Sequence, residues 1–376
     1  MTVLTNARIV CEDRVIDGHV AFSGSTIDAV DEGPARGEDC EGDILIPGLV
    51  ELHTDQLDTH IAPRPGVRWN TLAAVQAHDA QVAACGITTV FDALRVGLDG
   101  DAGLSSQDSR DVADGIARAQ DAGRLRAEHR FHLRCEVSDE YAVGGFALFD
   151  DLAPVDLISL MDHTPGQRQF TSLESYKLYY QGKTGMSDEA FEAFQAARRE
   201  RAARWSDQNR REIAARAKER KAVIASHDDA TDAHVAEAVR DGATLAEFPT
   251  TVAAAVASRA AGMQVLMGGP NLVRGGSHSG NVSAGELADI DALDIISSDY
   301  VPFSLVQSVF TLSKRPGWTL LKAVARVTLN PAKAVSLADR GRIAPGLRAD
   351  LVRLHLPQES DIPVVRQVWR GGRRIV

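Results

Sequence analysis

Basic residues are in the minority in this chain: 41 Lys and Arg stand against 52 Asp and Glu, a formal net charge of −11 over 376 residues. A nucleic-acid binder carries a basic face, so no nucleic acid is expected as a partner. Cysteine is scarce too. Cys11, Cys40, Cys85 and Cys135 are scattered and form no C-x-x-C pair, which argues against a disulfide framework or a zinc knuckle and suits a reducing compartment. No apolar run approaches the ~20 residues of a membrane span. The mixed, strand-like segment Met1–Val10 lacks the basic-then-apolar order of a signal peptide, so no membrane partner and a cytoplasmic location are expected. Aromatics make up only 5%, while Ala and Gly are plentiful, a composition that suits many helix–sheet contacts.

What is present is an alternation. Val3–Val10 and Val15–Phe22 read as strands, with turns at Gly18, Gly24 and Gly33, and Asp43–Leu52 leads through Pro47-Gly48 into a further strand. Strand-like runs then recur at Thr88–Leu94, Arg130–Val137, Val155–Met161, Lys221–Ser226, Ala243–Phe248, Gln264–Met267 and Leu293–Ser298. Helical patterns lie between several of them, at Leu72–Ala84, Ser106–Ala122 and Asp232–Asp241. The spacing predicts an α/β fold, a TIM-like (β/α)8 barrel over residues 47–339. The β-rich ends, 1–46 and 340–376, are expected to pair into a small β-sandwich domain; Gly371-Gly372 marks a hairpin between its last strands. The charge-rich stretch 187–220 reads as a solvated outer helix or helical hairpin, with a mobile lid as the alternative.

In such a barrel the chemistry sits where strands end. Here each of several apolar runs closes on an ionisable residue: His53 and Asp55 after Gly48–Leu52, Glu136 after Phe131–Cys135, His163 after Leu157–Asp162, His227 after Ala222–Ser226, and Asp299 after Ile295–Ser298. In extended chain, positions i and i+2 point the same way, so His53 and Asp55 are expected to aim together. One buried histidine is usually a core residue, and one strand-end carboxylate is often a helix cap. A set of this size on separate strands instead makes a ligand sphere for one or two divalent metals, with zinc first and manganese or iron as alternatives. His60, His78, His129, His132, His234 and His355 fall outside the pattern and are read as structural.

The order His-x-Asp, Glu, His, His, Asp resembles the amidohydrolase superfamily. Ile46-Pro47-Gly48-Leu49-Val50 is similar to that family's entry into its barrel, and Thr328–Lys333 with Gly341–Gly346 and Ala349–Val352 to its exit into the small β domain. Asp55 stands where the family's first strand usually carries a second His, which leaves metal number open. Glu136 stands in place of the bridging Lys, a known family alternative. A narrower resemblance lies in His53–Leu57, Pro63–Trp69, Gly86–Arg95 and Asn271–Asn281. These segments resemble the triphosphate diphosphatases of the carbon–phosphorus lyase pathway, which implies a phosphorylated ribose phosphonate as the small-molecule substrate, pyrophosphate as product and a role in phosphonate use. The superfamily resemblance also suggests a homodimer.

A triphosphate carries about four negative charges, so cations beyond the metal are needed. Arg64, Arg68, Arg95, Lys177 (in a strand-like Tyr176–Tyr180 run) and Arg274 are the candidates, with His278 either protonating the leaving group or binding phosphate. The implied mechanism has Asp299 as general base toward a water on the metal. Two other readings stay open: hydrolysis of a cyclic amide or deamination of a nucleobase on the same scaffold, and a barrel that has lost its chemistry. The arginine-bearing loops separate the first from phosphate chemistry; metal content separates the second.

Overall fold

A computed structural model of the chain describes every residue except 99–103, 153–154, 167, 169–176, 178–185, 278–279 and 359–361. The N-terminal strands are β1 (Thr2–Val10), β2 (Val15–Ser23), β3 (Thr26–Glu32), the short β4 (Glu38–Asp39) and β5 (Ile44–Pro47). Along β1 the later residues alternate between buried and exposed, as expected of a strand with one wet face. Gly24 and Gly33 stand in turns with positive φ. Gly18 lies inside β2 rather than in a turn, and a Cβ there would sit 2.0 Å from the Asp31 carbonyl oxygen. It is a glycine of close approach, not of chain reversal.

The barrel strands follow: β6 (Leu49–Thr54), β7 (Ile87–Val96), β8 (Glu128–Glu136), β9 (Val155–Met161), β10 (Val223–His227), β11 (Leu245–Glu247), β12 (Gln264–Gly268) and β13 (Ile295–Ser297). They bond in strict sequential order, all parallel. β6 is buried at every residue, as is β7 at all but Arg95, because both faces of a parallel strand are covered. Val50, Leu52, Phe91, Leu157, Ala225, Leu245, Leu266 and Ile295 form the inner core, and a larger apolar cluster fills the space between strands and helices.

Polar contacts at the mouth join β6 to β13. Thr54 bridges Asp299, the Asp299 amide donates to the His53 carbonyl (3.0 Å), and the Thr54 hydroxyl donates to the Asp299 carbonyl (2.9 Å). The buried Glu51 carboxylate accepts from the amides of His53 and Ser298, each at 2.6 Å, and from the Ser297 hydroxyl. The two ends of the barrel sheet therefore meet at the residues that carry His53 and Asp299.

The C-terminal strands β14 (Leu351–His355), β15 (Val364–Arg370) and β16 (Arg373–Arg374) return to the first sheet. β14 pairs antiparallel with β5, which itself pairs parallel with β1, so the two layers of the expected sandwich are joined into one mixed sheet ordered β16-β15-β14-β5-β1-β2-β3. Its own core includes Leu4, Ile9, Val20, Phe22, Leu45, Leu351 and Trp369.

Residues Asp188–Glu219 form one continuous helix of 32 residues, about 48 Å long, rather than a hairpin. Polar residues along it hold the strand-end loops. Asn209 Nδ2 donates to the carbonyls of Val137 (3.0 Å) and Asp139 (2.7 Å), Arg201 pairs with Asp139 (3.1 Å), and Ser206 donates to Asp162 (2.8 Å). These bonds pin the loops that follow Glu136 and precede His163, so the helix serves as an outer buttress of the barrel. Among the described residues, no helix is long and apolar enough to cross a membrane.

Candidate active site

The strand ends converge. β8 places His132, Arg134 and Glu136 on one face by its two-residue repeat, and the first two point with Ser159 of β9, His227 of β10 and Glu247 of β11 toward a common space. Glu247 is fully buried there. One carboxylate oxygen accepts from His53 Nδ1 (3.1 Å) and the other from His227 Nδ1 (3.2 Å), while the Ser159 hydroxyl also donates to it. His132 completes the cluster: Nε2 meets Ser159 Oγ at 2.6 Å and Nδ1 meets the Leu52 carbonyl at 2.9 Å. Paired imidazoles hold Glu247 well below the usual carboxylate range despite the opposing cost of burial. Burial drives His132 down to about 3, so it is neutral.

Glu136 does for His163 what Glu247 does for the other two. It accepts from His163 Nδ1 (2.6 Å), from the His163 amide (3.1 Å) and from Ser138 Oγ (2.5 Å). Burial opposes its ionisation, but the His163 charge and these bonds bring its pKa down to about 2. All three imidazoles thus use Nδ1 on a buried carboxylate. In the neutral ring, the form that can ligate a metal, the proton then lies on that nitrogen and Nε2 carries the free lone pair.

Two of those lone pairs, on His163 and His227, face Asp228. His163 Nε2 lies 3.7 Å and His227 Nε2 3.6 Å from Asp228 Oδ2, and the ring of His53 stacks on that of His227 at 5.8 Å. Asp228 Oδ2 is buried and has no hydrogen-bond partner. A buried carboxylate oxygen among imidazole lone pairs is costly unless a cation satisfies it. The donor set of imidazole nitrogens and carboxylate oxygens fits a divalent metal. Backbone strain supports the same location: Asp228, Phe248 and Asp299, each just past a strand end, have φ of 56°, 53° and 54°. Non-glycine residues avoid that region unless their surroundings impose it.

Asp299 stands at the closing seam. Burial, and next the charge of Asp55, push its carboxyl up to about 7, against His53 and Arg134. Asp55 is not placed by an extended strand. Between Glu51 and Thr54 the β6 register slips by one residue against β7, a bulge that re-aims the side chains after it, and β6 ends at Thr54. Asp55 instead reaches Arg134 Nη1 at 3.2 Å.

Arg134 brings a guanidinium to the mouth. Its Nε is buried without a partner, and its charge bears on His53, Asp299 and Asp58. Arg68 and Arg95 also act on Asp58, although Arg68 pairs with Asp108 at 3.5 Å. Arg64 is exposed in a tight turn closed by the Val67 amide on its carbonyl (3.0 Å). Arg274 is exposed at the end of the helix Gly269–Arg274. Lys177 is helical rather than extended and pairs with Asp188 at 2.6 Å; the rest of the run 176–180 lies outside the described residues, as does His278. His60 bonds Gln81 at 2.8 Å.

Three site residues, Glu247, Arg134 and Asp228, are not singled out by the sequence reading, and His132 is read there as structural. Glu247 ends an apolar run just as Glu136 does, so the same rule finds it. His132 and Arg134 lie four and two residues before Glu136, on its face of the strand. Asp228 follows His227 directly and reaches the site only through its left-handed backbone, for which the sequence gives no local signal.

The Amidohydrolase family profile matches residues 71–376. The chain is an amidohydrolase. It is 46% identical over 99% of its length to the whole of the Escherichia coli (strain K12) alpha-D-ribose 1-methylphosphonate 5-triphosphate diphosphatase. An imidazolonepropionase of Streptomyces griseus is 38% identical over 20% of each chain. Among solved structures, the Mycobacterium smegmatis N-acetyl-D-glucosamine-6-phosphate deacetylase superposes with a TM-score of 0.65 at 16% identity, covering 100% of this chain and 99% of that one. At that identity the likeness is one of fold. The amidohydrolase therefore shares its barrel with enzymes of several chemistries, and its near-full-length likeness is to a phosphoanhydride hydrolase.

Proposed function

We propose that this amidohydrolase hydrolyses α-D-ribose 1-methylphosphonate 5-triphosphate to the ribose 5-phosphate product and pyrophosphate, in phosphonate catabolism. The observation that carries the reading is the 46% identity across both full chains to the diphosphatase of E. coli. The site supports it: a divalent-metal donor set lies beside a buried guanidinium, Arg134, whose Nε is unpartnered. Such a highly charged substrate does not cross a membrane unaided, which agrees with a cytoplasmic enzyme.

His53, His163 and His227, with Asp228, are the residues that would hold the metal, and Asp299 and Asp55 stand beside them. Zinc suits this set best, since imidazole nitrogens supply most of the donors. When bound, the metal polarises a phosphoryl oxygen and makes a water acidic near neutral pH. Glu136 and Glu247 fix the tautomers of the three histidines, so their Nε2 lone pairs stay directed inward. Asp299 takes the proton from the attacking water. The new bond forms from water oxygen to the phosphorus next to the ribose, the bridging bond to the second phosphorus breaks, and pyrophosphate carries off the bonding pair. Arg134 faces the charge on the transferred phosphoryl group. Arg95 and Arg68, whose charges reach Asp58 with that of Arg134, are assigned to the outer phosphates.

Phosphorus NMR of the products tests the reading. Wild-type enzyme should release pyrophosphate, and Asp299→Asn should slow release by about 10²–10⁴-fold, the range for loss of a general base. Release of orthophosphate alone, or no cleavage by metal-replete enzyme, would remove the assignment.

A further inference from the structure

This acidic chain gathers arginines at a place away from the catalytic mouth. The turn between the helix Ser106–Asp121 and β8 supplies Arg124 and Arg126, and the hairpin β15–β16 supplies Arg370, Arg373 and Arg374. With Gln76 of the helix Thr71–Ala84 they line a cleft of about 280 Å³. No acidic side chain lines it among the described residues. Arg126 spends one nitrogen on Asp79 at 3.1 Å. Among the described residues, Arg124, Arg370, Arg373 and Arg374 make no ion pair and no side-chain hydrogen bond.

Such a gathering costs stability. Arg370 and Arg373 stand directly opposite each other across the antiparallel pair, where like charges repel on one face. Burial, and then the charge of Arg348, pull the Arg370 guanidinium below its ordinary value. The hairpin cannot relieve this by swinging outward. Gly371 and Gly372 have φ of 53° and 72°, their amides donate to Asp350 Oδ1 (2.7 Å) and the Ala349 carbonyl (2.8 Å), and a Cβ on Gly372 would lie 1.9 Å from the Gly24 carbonyl oxygen. The backbone that carries these arginines is thus fixed before anything binds, which lowers the entropic cost of binding.

The cleft is also distant from the chemistry. Arg126 precedes β8 and Glu136 ends it; nine residues of strand separate the two ends by about 26 Å. We propose that this cleft is a second ligand site of the enzyme, for a small polyanion with adjacent phosphate groups. Guanidinium forks match phosphate oxygens two at a time, and the arginines come from two separate walls, which suits more than one phosphate. The volume admits a diphosphate or triphosphate group and excludes a folded domain. The inference does not depend on which reaction the mouth performs.

Inorganic pyrophosphate is the probe. Metal-replete full-length enzyme is treated with phenylglyoxal with and without pyrophosphate, and modification is read arginine by arginine by mass spectrometry. Because the readout is resolved by site, pyrophosphate bound at the mouth does not interfere. Protection of Arg370, Arg373 and Arg374, with the exposed Arg14 unprotected, is the expected result. In an Arg373→Glu/Arg374→Glu variant, the pyrophosphate concentration that protects Arg370 should rise by about tenfold or more, with turnover unchanged; Arg124→Glu, on the opposite wall, should act the same way. Equal modification of the cleft arginines with and without pyrophosphate, or unchanged binding in both variants, overturns the proposal.

Discussion

At residue scale the site depends on buried carboxylates that hold its imidazoles. Glu247 and Glu136 each fix imidazoles by Nδ1, and Asp228 Oδ2 is left buried for a cation. Replacing Glu247 by Gln frees two imidazoles at once, and metal affinity, read by competition with a chromogenic chelator, should fall by about 10–100-fold. Unchanged affinity would show that these histidines are oriented by something else. Arg134 makes a separate prediction. Arg134→Met should lower kcat/KM for the triphosphate by about 10–100-fold, the worth of a charged hydrogen bond, and leave metal content intact; metal loss in this variant would instead mark it as a support for Asp55. The difference between what was legible and what was not follows the same physics. His53, His163, His227, Glu136 and Asp299 announce themselves because each closes an apolar run. Asp55 was misplaced because a bulge in β6 breaks the two-residue repeat on which the reading relied. Asp228 was invisible because a positive φ is a property of the assembled barrel, not of the dipeptide.

At the scale of elements, a second buried network joins β7, β8 and the helix Thr71–Ala84. Asp92 accepts from His78 Nε2 (2.8 Å) and His129 Nδ1 (2.7 Å), and His129 Nε2 lies 3.4 Å from Asp79. Burial alone would lower the His129 pKa, but the Asp92 and Asp79 carboxylates outweigh it and raise the pKa to about 9. The sign follows from linkage: a raised histidine contributes its full stabilisation below its unfolded pKa of about 6.5 and loses it as pH rises through the folded value. Thermal stability should therefore decline between pH 6.5 and about 9, as differential scanning calorimetry would record. Asp92→Asn should cost about 3–5 kcal/mol by leaving a buried cation uncompensated. A flat profile over that pH window would mean that His129 is neutral in the folded state. The elements themselves were largely readable, since β9 and the helix Asp232–Asp241 fall on the expected residues. The pairing of the two chain ends into one small β domain was readable as well; its strand order was not, because β5 takes β1 on one side and, from more than 300 residues away, β14 on the other.

The whole molecule poses an electrostatic problem, since a chain of net charge −11 takes a substrate with about four negative charges. Two opposite salt dependences are conceivable. If the overall charge governs encounter, added salt screens repulsion and raises kcat/KM; if the arginines at the mouth govern it, salt screens attraction and lowers kcat/KM. The convergence of Arg134, Arg95 and Arg68 on the neighbourhood of Asp58 favours the second. A decrease of several-fold is expected between about 50 and 300 mM salt, over which the Debye length falls by roughly half.

The central claim is that the amidohydrolase directs water to the phosphorus nearest the ribose, and a single turnover in oxygen-18 water tests it most directly. Cleavage at either of the first two phosphorus atoms gives the same products, so the position of the label decides between them. Phosphorus NMR should show the isotope shift on the ribose 5-phosphate product and none on pyrophosphate. Label in the pyrophosphate would contradict the account, because water would then have attacked the middle phosphorus.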